Sequence, residues 1–261
     1  MVQDIFNEYA RFAQIEAMAI GGSRALKKND QYSNYDVYVY WKEPIPTALR
    51  KAVLQKHCSG MELGNCYREY TDSCIMEDGI QLNIIYRNLD EFLAGVQEVV
   101  EGHKARDGYT TCMWHSLLIG RIAYDKGGRL AAAKQRYVVR YPQALKQNVI
   151  SHNMKLIKYG MGAYLVQIHK AMKRGDLISI NQEVHKFLAS YFDVIFAMNE
   201  KLHPGEKRLL DICVKECRVL PDNFERNIRT LMQNMYQEPA AVSLVDTMVT
   251  ELEKVLGEEL G

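Results

Sequence analysis

The sequence predicts an α+β protein: an N-terminal mixed β-sheet with helices, followed by an all-α helical bundle. Three observations carry this. Asp36, Tyr38 and Tyr40 alternate with Val37, Val39 and Trp41, the period of two that marks a strand. Ile180, Val184, Phe187, Tyr191, Val194 and Met198 recur at three- and four-residue spacing, the apolar stripe of an amphipathic helix. Strand-like segments crowd the first half of the chain, whereas nearly everything beyond Tyr141-Pro142 has helical spacing.

Taken in order, residues 4 to 16 place Ile5, Tyr9, Phe12 and Ile15 on one helical face, and Ala17 to Ile20 is a short apolar strand running into Gly21-Gly22. The alternating strand over 36–41 follows, then a helix around Ala48 to His57 and extended segments near Asn65 to Met76. A strand over Ile80 to Tyr86 follows the turn Glu77-Asp78-Gly79, and Phe92, Val96 and Val99 form the face of a helix ending near Gly102. Residues 121 to 130 hold a short strand and the turn Asp125-Lys126-Gly127-Gly128. Pro142 suits a first helical position, because the N–H it lacks would be unpaired there. Pro204 and Pro221 are expected to start two further helices, in a bundle of about five. The boundary is placed so that 1–137 is the α/β domain and 142–261 the bundle.

At 261 residues the chain is long enough to bury a sizeable core, and 33 Lys and Arg against 32 Asp and Glu leave no global field for nucleic acid or membrane. No run approaches the ~18–20 apolar residues of a membrane span. Charges throughout the first eighteen residues do not read as a secretion signal. The six cysteines are scattered, and Cys213 and Cys217 lack the short CxxC turn of a zinc knuckle. Reduced thiols and a cytoplasmic location are therefore expected. His115, His169, His185 and His203 show no metal-ligand spacing and are read as structural. Lys170, Lys173 and Arg174 read as the basic end of a helix.

Chemistry is suggested by Gly21-Gly22-Ser23, between a strand and a helix. One reading is a tight turn where glycine supplies an unusual backbone angle. The other is a cradle whose bare backbone N–H groups face a phosphate, with Ser23 adding a hydroxyl.

The run from this turn through Ser-Asn-Tyr-Asp-Val-Tyr-Val-Tyr (33–40) resembles the polymerase-β-like nucleotidyltransferase superfamily, in which a Gly-Ser turn precedes Asp-x-Asp on the next strand. A third Asp of that pattern lies on a later strand, here matched by Gly-Ile-Gln-Leu-Asn-Ile-Ile-Tyr-Arg (79–87). Gly108 to Cys112, Tyr124-Asp125, Met198-Asn199 and Pro204 to Arg208 extend the likeness to two-domain bacterial members with a helical C-terminal part. The resemblance implies that the catalytic positions are Asn34, Asp36 and Asn83, and that Gly21, Gly22, Ser23, Arg24 and Lys207 bind the nucleotide. It also implies magnesium as cofactor, a nucleoside triphosphate as ligand and a small-molecule acceptor as a further partner.

In active members three carboxylates hold two divalent cations that clamp the triphosphate and stabilise the leaving pyrophosphate. Here two of the three negative charges are missing. Asn keeps size and polarity, yet a hard cation prefers charged oxygen ligands. Asp36 is the remaining metal ligand. Asp72 is a weak substitute for the lost acids, otherwise a solvated loop acid, and Asp30 is in the same position. Tyr38, on the Asp36 face, is expected to shape the pocket floor or stack on a base. Arg24, Lys27 and Lys28 either neutralise phosphates or lie on a solvated helix face, and Lys207 either reaches the triphosphate or is simply exposed. The expected function is nucleotide binding with weak or absent transferase activity. The alternative is an active, metal-dependent transfer of a nucleoside monophosphate to a small hydroxylated acceptor, of the antibiotic-modifying kind. A third reading is protein interaction through the helical part.

Overall fold

The computed structural model describes residues 2–27, 33–67 and 69–260. It divides into two compact units: Met1–Gln97 with Met113–Val139, and Glu98–Cys112 with Arg140–Gly261.

The first unit opens with α1 (Val2–Tyr9), β1 (Ile15–Ile20), the single turn α2 (Gly22–Ala25) and β2 (Tyr35–Trp41). The chain then makes α3 (Thr47–Leu54), the antiparallel pair β3 (Cys58–Asn65) and β4 (Thr71–Met76), and β5 (Gln81–Asn88). The helix α4 (Leu89–Val100) leaves the sheet, and α5 (Cys112–Ile119), β6 (Arg121–Asp125) and α6 (Arg129–Arg136) return to it. The strands lie in the order β3-β4-β5-β2-β1-β6. Only β2 and β5 run parallel among these pairs; the long excursion through α3, β3 and β4 is the crossover that a parallel pair requires.

Strand alternation gives the sheet two unlike faces. Val37, Val39, Leu82, Ile84, Met18 and Ile20 point to one side, where they pack with Ile5, Phe6 and Tyr9 of α1 and Val53 and Leu54 of α3. The opposite face carries Asp36, Tyr38 and Tyr40 of β2 beside Asn83, Ile85 and Arg87 of β5. Its lower part is closed by Phe92 of α4, whose ring lies 4.9 Å from that of Tyr40, and by Ser116 of α5, hydrogen-bonded to Tyr38.

The second unit holds α7 (Gln143–Lys158), α8 (Tyr164–Lys173), α9 (Leu177–Met198), α10 (Leu209–Glu216), α11 (Phe224–Asn234) and α12 (Ala240–Leu260). Asp176 caps α9 by accepting a hydrogen bond from the Ser179 N–H at 3.1 Å. A buried polar centre binds residues 106–112 to the helices. Asp193 accepts from the N–H of Thr110 (3.1 Å), its hydroxyl (2.6 Å) and the Asn153 amide (3.2 Å). Asn153 accepts in turn from the Gly108 N–H at 3.0 Å, and the Thr111 hydroxyl accepts from the His203 N–H at 2.7 Å. Burial pushes the Asp193 carboxyl up to about 6 against the lowering effect of these donors.

The architecture is the expected α+β one, with differences in detail. The first helix ends at Tyr9 instead of near residue 16: Ile15 continues its apolar spacing but is fully buried in β1. Pro204 starts no helix. Gly205 and Arg208 follow it at φ 103° and 58°, so helical geometry begins only at Leu209. The helices α5 and α6 were not anticipated; one is apolar nearly all round and the other is short and largely polar, so neither shows a clear stripe.

Candidate functional site

The turn after β1 is shaped by what lies beneath it. Gly21 donates its N–H to the Asp36 carbonyl at 2.8 Å, which ties the turn to the first residues of β2. A Cβ on Gly21 would stand 2.3 Å from the Tyr38 ring, so only glycine fits over this aromatic floor. Gly22 adopts φ 59°, in the left-handed region, and a Cβ there would meet an Asp36 carboxylate oxygen at 2.9 Å. Ser23 follows within α2, where the first N–H groups of a helical turn have no carbonyl of that turn to bond. Gly22 and Ser23 are thus the residues whose amides open this turn. The Gly21 N–H is committed to β2.

Asp36 and Asn83 face each other across the parallel pair. The Asn83 Nδ2 donates to Asp36 Oδ1 at 3.0 Å, over 47 residues of sequence. The orientation of this amide is set from behind. Gln81 Nε2 (2.8 Å) and Ser73 Oγ (3.1 Å) both donate to Asn83 Oδ1, which leaves the NH2 group directed at the carboxylate. Ser73 pairs with Asn83 in the β4–β5 ladder and so shares its face. Neither Ser73 nor Gln81 was singled out from the sequence. Their signal was a two-residue offset along β5 and a ladder partner on β4, and the ladder is invisible without the register.

Asn34 precedes β2 by one residue and is exposed; its carbonyl, with that of Ser33, is held by Arg24. Arg24 donates to Ser33 O at 2.7 Å and stacks over the Tyr35 ring at 3.9 Å. It braces α2 against the start of β2. Lys27 is exposed, and Lys28 and Asp30 lie outside the described residues. Lys207 is exposed in the turn before α10 of the second unit.

Asp72 requires a correction. It is neither a solvated loop acid nor within reach of Asp36: it sits inside β4, opposite Ile84, on the apolar face of the sheet. There it is fully buried in an ion pair with Arg50, and it accepts from the Tyr86 hydroxyl (2.8 Å) and the Gly64 N–H (2.7 Å). Both oxygens of that carboxylate are engaged by these donors.

Tyr38 forms the floor. Arg87 stacks on its ring at 4.2 Å and is itself held by Glu69 through two hydrogen bonds of 2.7 and 2.9 Å. Burial pushes the Tyr38 phenol above its ordinary range, so the ring enters as a neutral hydroxyl. With Gly21 close to its edge and Arg87 stacked on it, the ring is a wall of this arrangement.

The donor set formed by the described residues does not fit a pair of divalent cations. Among the described residues Asp36 is the one carboxylate identified at this site, one of its oxygens already takes an amide N–H, and no group of three His, Cys, Asp or Glu suited to a metal occurs.

Three comparisons bear on this arrangement. A family described as a domain of unknown function, DUF4037, matches residues 111–209. No curated protein matches the chain. Among solved structures, the chain is similar to a nucleotidyltransferase-like protein from Exiguobacterium sibiricum, with 12% identity, a TM-score of 0.45, and coverage of 98% of this chain and 73% of that one. It is also similar to an aminoglycoside 6-adenyltransferase from Bacillus subtilis (11%, TM-score 0.34, 98% and 89% covered). A third is the Thermotoga maritima CCA-adding enzyme complexed with tRNA (8%, TM-score 0.26, 99% and 80% covered). No helix among the described residues is long and apolar enough to cross a membrane.

Proposed function

We propose that the chain is a nucleotidyltransferase-fold protein that binds a nucleoside triphosphate and has weak or absent transferase activity. The observation that carries this is the hydrogen bond from Asn83 to Asp36. An amide N–H is directed at the carboxylate, and the hydrogen bond stabilises its charge in part without a metal. The phosphate would rest on the amides of Gly22 and Ser23 and on the Ser23 hydroxyl, which are dipoles suited to an anion and independent of metal. Lys207 is a further proposed phosphate ligand on the sequence resemblance alone. The proposed setting is the cytoplasm, and the proposed role is sensing or regulation by bound nucleotide.

The test is thermal unfolding of the full chain with each nucleoside triphosphate, in chelator and in excess magnesium. A bound ligand raises the midpoint according to its concentration over its dissociation constant. The expected result is a shift with at least one triphosphate that changes little when magnesium is added, and that shrinks in Ser23→Ala. Release of pyrophosphate by the wild-type protein in magnesium would overturn the degenerate-site reading. No shift with any nucleotide would leave protein interaction as the surviving function.

A further inference from the structure

Away from the nucleotide-type site, two sulfur atoms approach each other unusually closely. Cys58 Sγ lies 2.8 Å from Cys74 Sγ across the β3–β4 ladder. That is inside the ~3.5–4.0 Å at which even carbon atoms rest without a bond. It is only about 0.8 Å longer than a disulfide of ~2.0 Å. The ladder explains the approach. Cys58 pairs with Met76 but Gly60 with Ile75, so Ser59 is an extra residue and the strand bulges beside Cys58. A bulge re-aims a side chain, and here it turns the thiol of Cys58 toward that of Cys74. Cys74 is buried and Cys58 half-buried, so the second is the entry point for a reagent.

The geometry points to a modification site: Cys58 and Cys74 form a dithiol that a small-molecule disulfide oxidises to an intramolecular disulfide. The Cys58 thiol loses its proton and its sulfur attacks one sulfur of the reagent, forming a mixed disulfide and expelling one thiolate. Cys74 then loses its proton and attacks Cys58 Sγ, expelling the second thiolate. Two protons and two electrons leave the protein, and the reagent becomes two thiols. Burial holds both thiols above their ordinary range, so the reaction is slow near neutrality and quickens as the medium becomes alkaline. The bond would tie together residues 58 to 74 at the end of the sheet, including the strand that carries Ser73. It restricts the unfolded chain and thus raises the unfolding midpoint.

The experiment treats the full chain with excess glutathione disulfide at mildly alkaline pH, followed by peptide mapping and thermal unfolding. The expected product is a cross-linked peptide joining Cys58 to Cys74, with the mass of two hydrogens lost and a raised midpoint that dithiothreitol reverses. Mapping separates it from any link between Cys213 and Cys217. Cys66, exposed, should end as an unresolved glutathione adduct and serves as the internal control for reagent access. Cys58→Ser should abolish the cross-link and the midpoint shift; because Cys58 is half-buried this variant is expected to fold, and Cys74→Ser provides the second arm. The proposal is overturned if Cys58 persists as a glutathione adduct that Cys74 never resolves. It is equally overturned if both thiols remain open to alkylation after the treated protein is denatured.

Discussion

Asn83 donates its amide N–H to the Asp36 carboxylate at 3.0 Å, from a neighbouring parallel strand and with its own carbonyl held by Ser73 and Gln81. The contact sets a clear expectation for charge. Asn83→Asp removes a donor and places a second carboxylate against the first, which should destabilise the fold by ~1–3 kcal/mol in chelator. The two acids would then titrate with one value raised. Adding Asn34→Asp should deepen the loss and create a binding response to magnesium or manganese, read as a midpoint recovered by the metal. If the double variant shows no such response, these asparagines do not occupy metal positions.

Gly22 combines a left-handed backbone with close approach to Asp36, and the two effects are separable. Gly22→Ala should cost more than the ~1–2 kcal/mol of the backbone term alone. Gly128 offers the control: its φ is 67° and nothing lies within 4 Å of an added Cβ. Gly128→Ala should therefore show the backbone cost only. Chemical denaturation of both variants measures the difference, and equal losses would mean that Asp36 does not constrain the turn.

The Arg50–Asp72 pair is buried on the far side of the sheet from Asp36. Breaking it by Asp72→Ala leaves an unpaired buried cation, which should cost ~3–5 kcal/mol. Nucleotide binding by the folded fraction should be unchanged. A specific loss of metal or nucleotide response at preserved stability would instead return Asp72 to the functional site.

Asp193 predicts a pH dependence. Its folded value of about 6 lies above the 3.8 of the free side chain, so the folded protein holds a proton that the unfolded chain has released. Its contribution to stability therefore falls as pH rises from about 4 to about 6 and is level above that. At ~1.4 kcal/mol per unit the loss is on the order of 3 kcal/mol. Asp193→Asn should flatten the slope in this window, as measured by urea midpoints at a series of pH values. A slope unchanged in the variant would assign the dependence to other groups.

Much of the fold was legible because its elements announce themselves by period. The alternation from Asp36 to Trp41 and the long stripe of α9 gave elements close to those observed. Asp36 and Asn83 were singled out through the resemblance, and their meeting follows from strands that are neighbours in the sheet. What stayed hidden was partnership between distant residues. Arg24 looked like a helix-surface cation and is a brace to Ser33 and Asn34. Asp72 looked like a loop acid because its strand is short and its partner Arg50 lies 22 residues earlier. Local pattern reports which way a side chain can point, not which group will be waiting there.

The apolar face of β2 and β5 has a consequence for the polar one. Side chains alternate strictly, so a slip of one residue between these strands would turn Asn83 into the packed interior and bring Ile84 up beside Asp36. Such a slip is opposed by burial of Val37, Val39, Leu82 and Ile84, each ~1.5–3 kcal/mol when fully enclosed. These four residues have no chemistry to offer, yet they aim the amide at the carboxylate. A polar substitution among them would be felt first as a misdirected site rather than as a missing one.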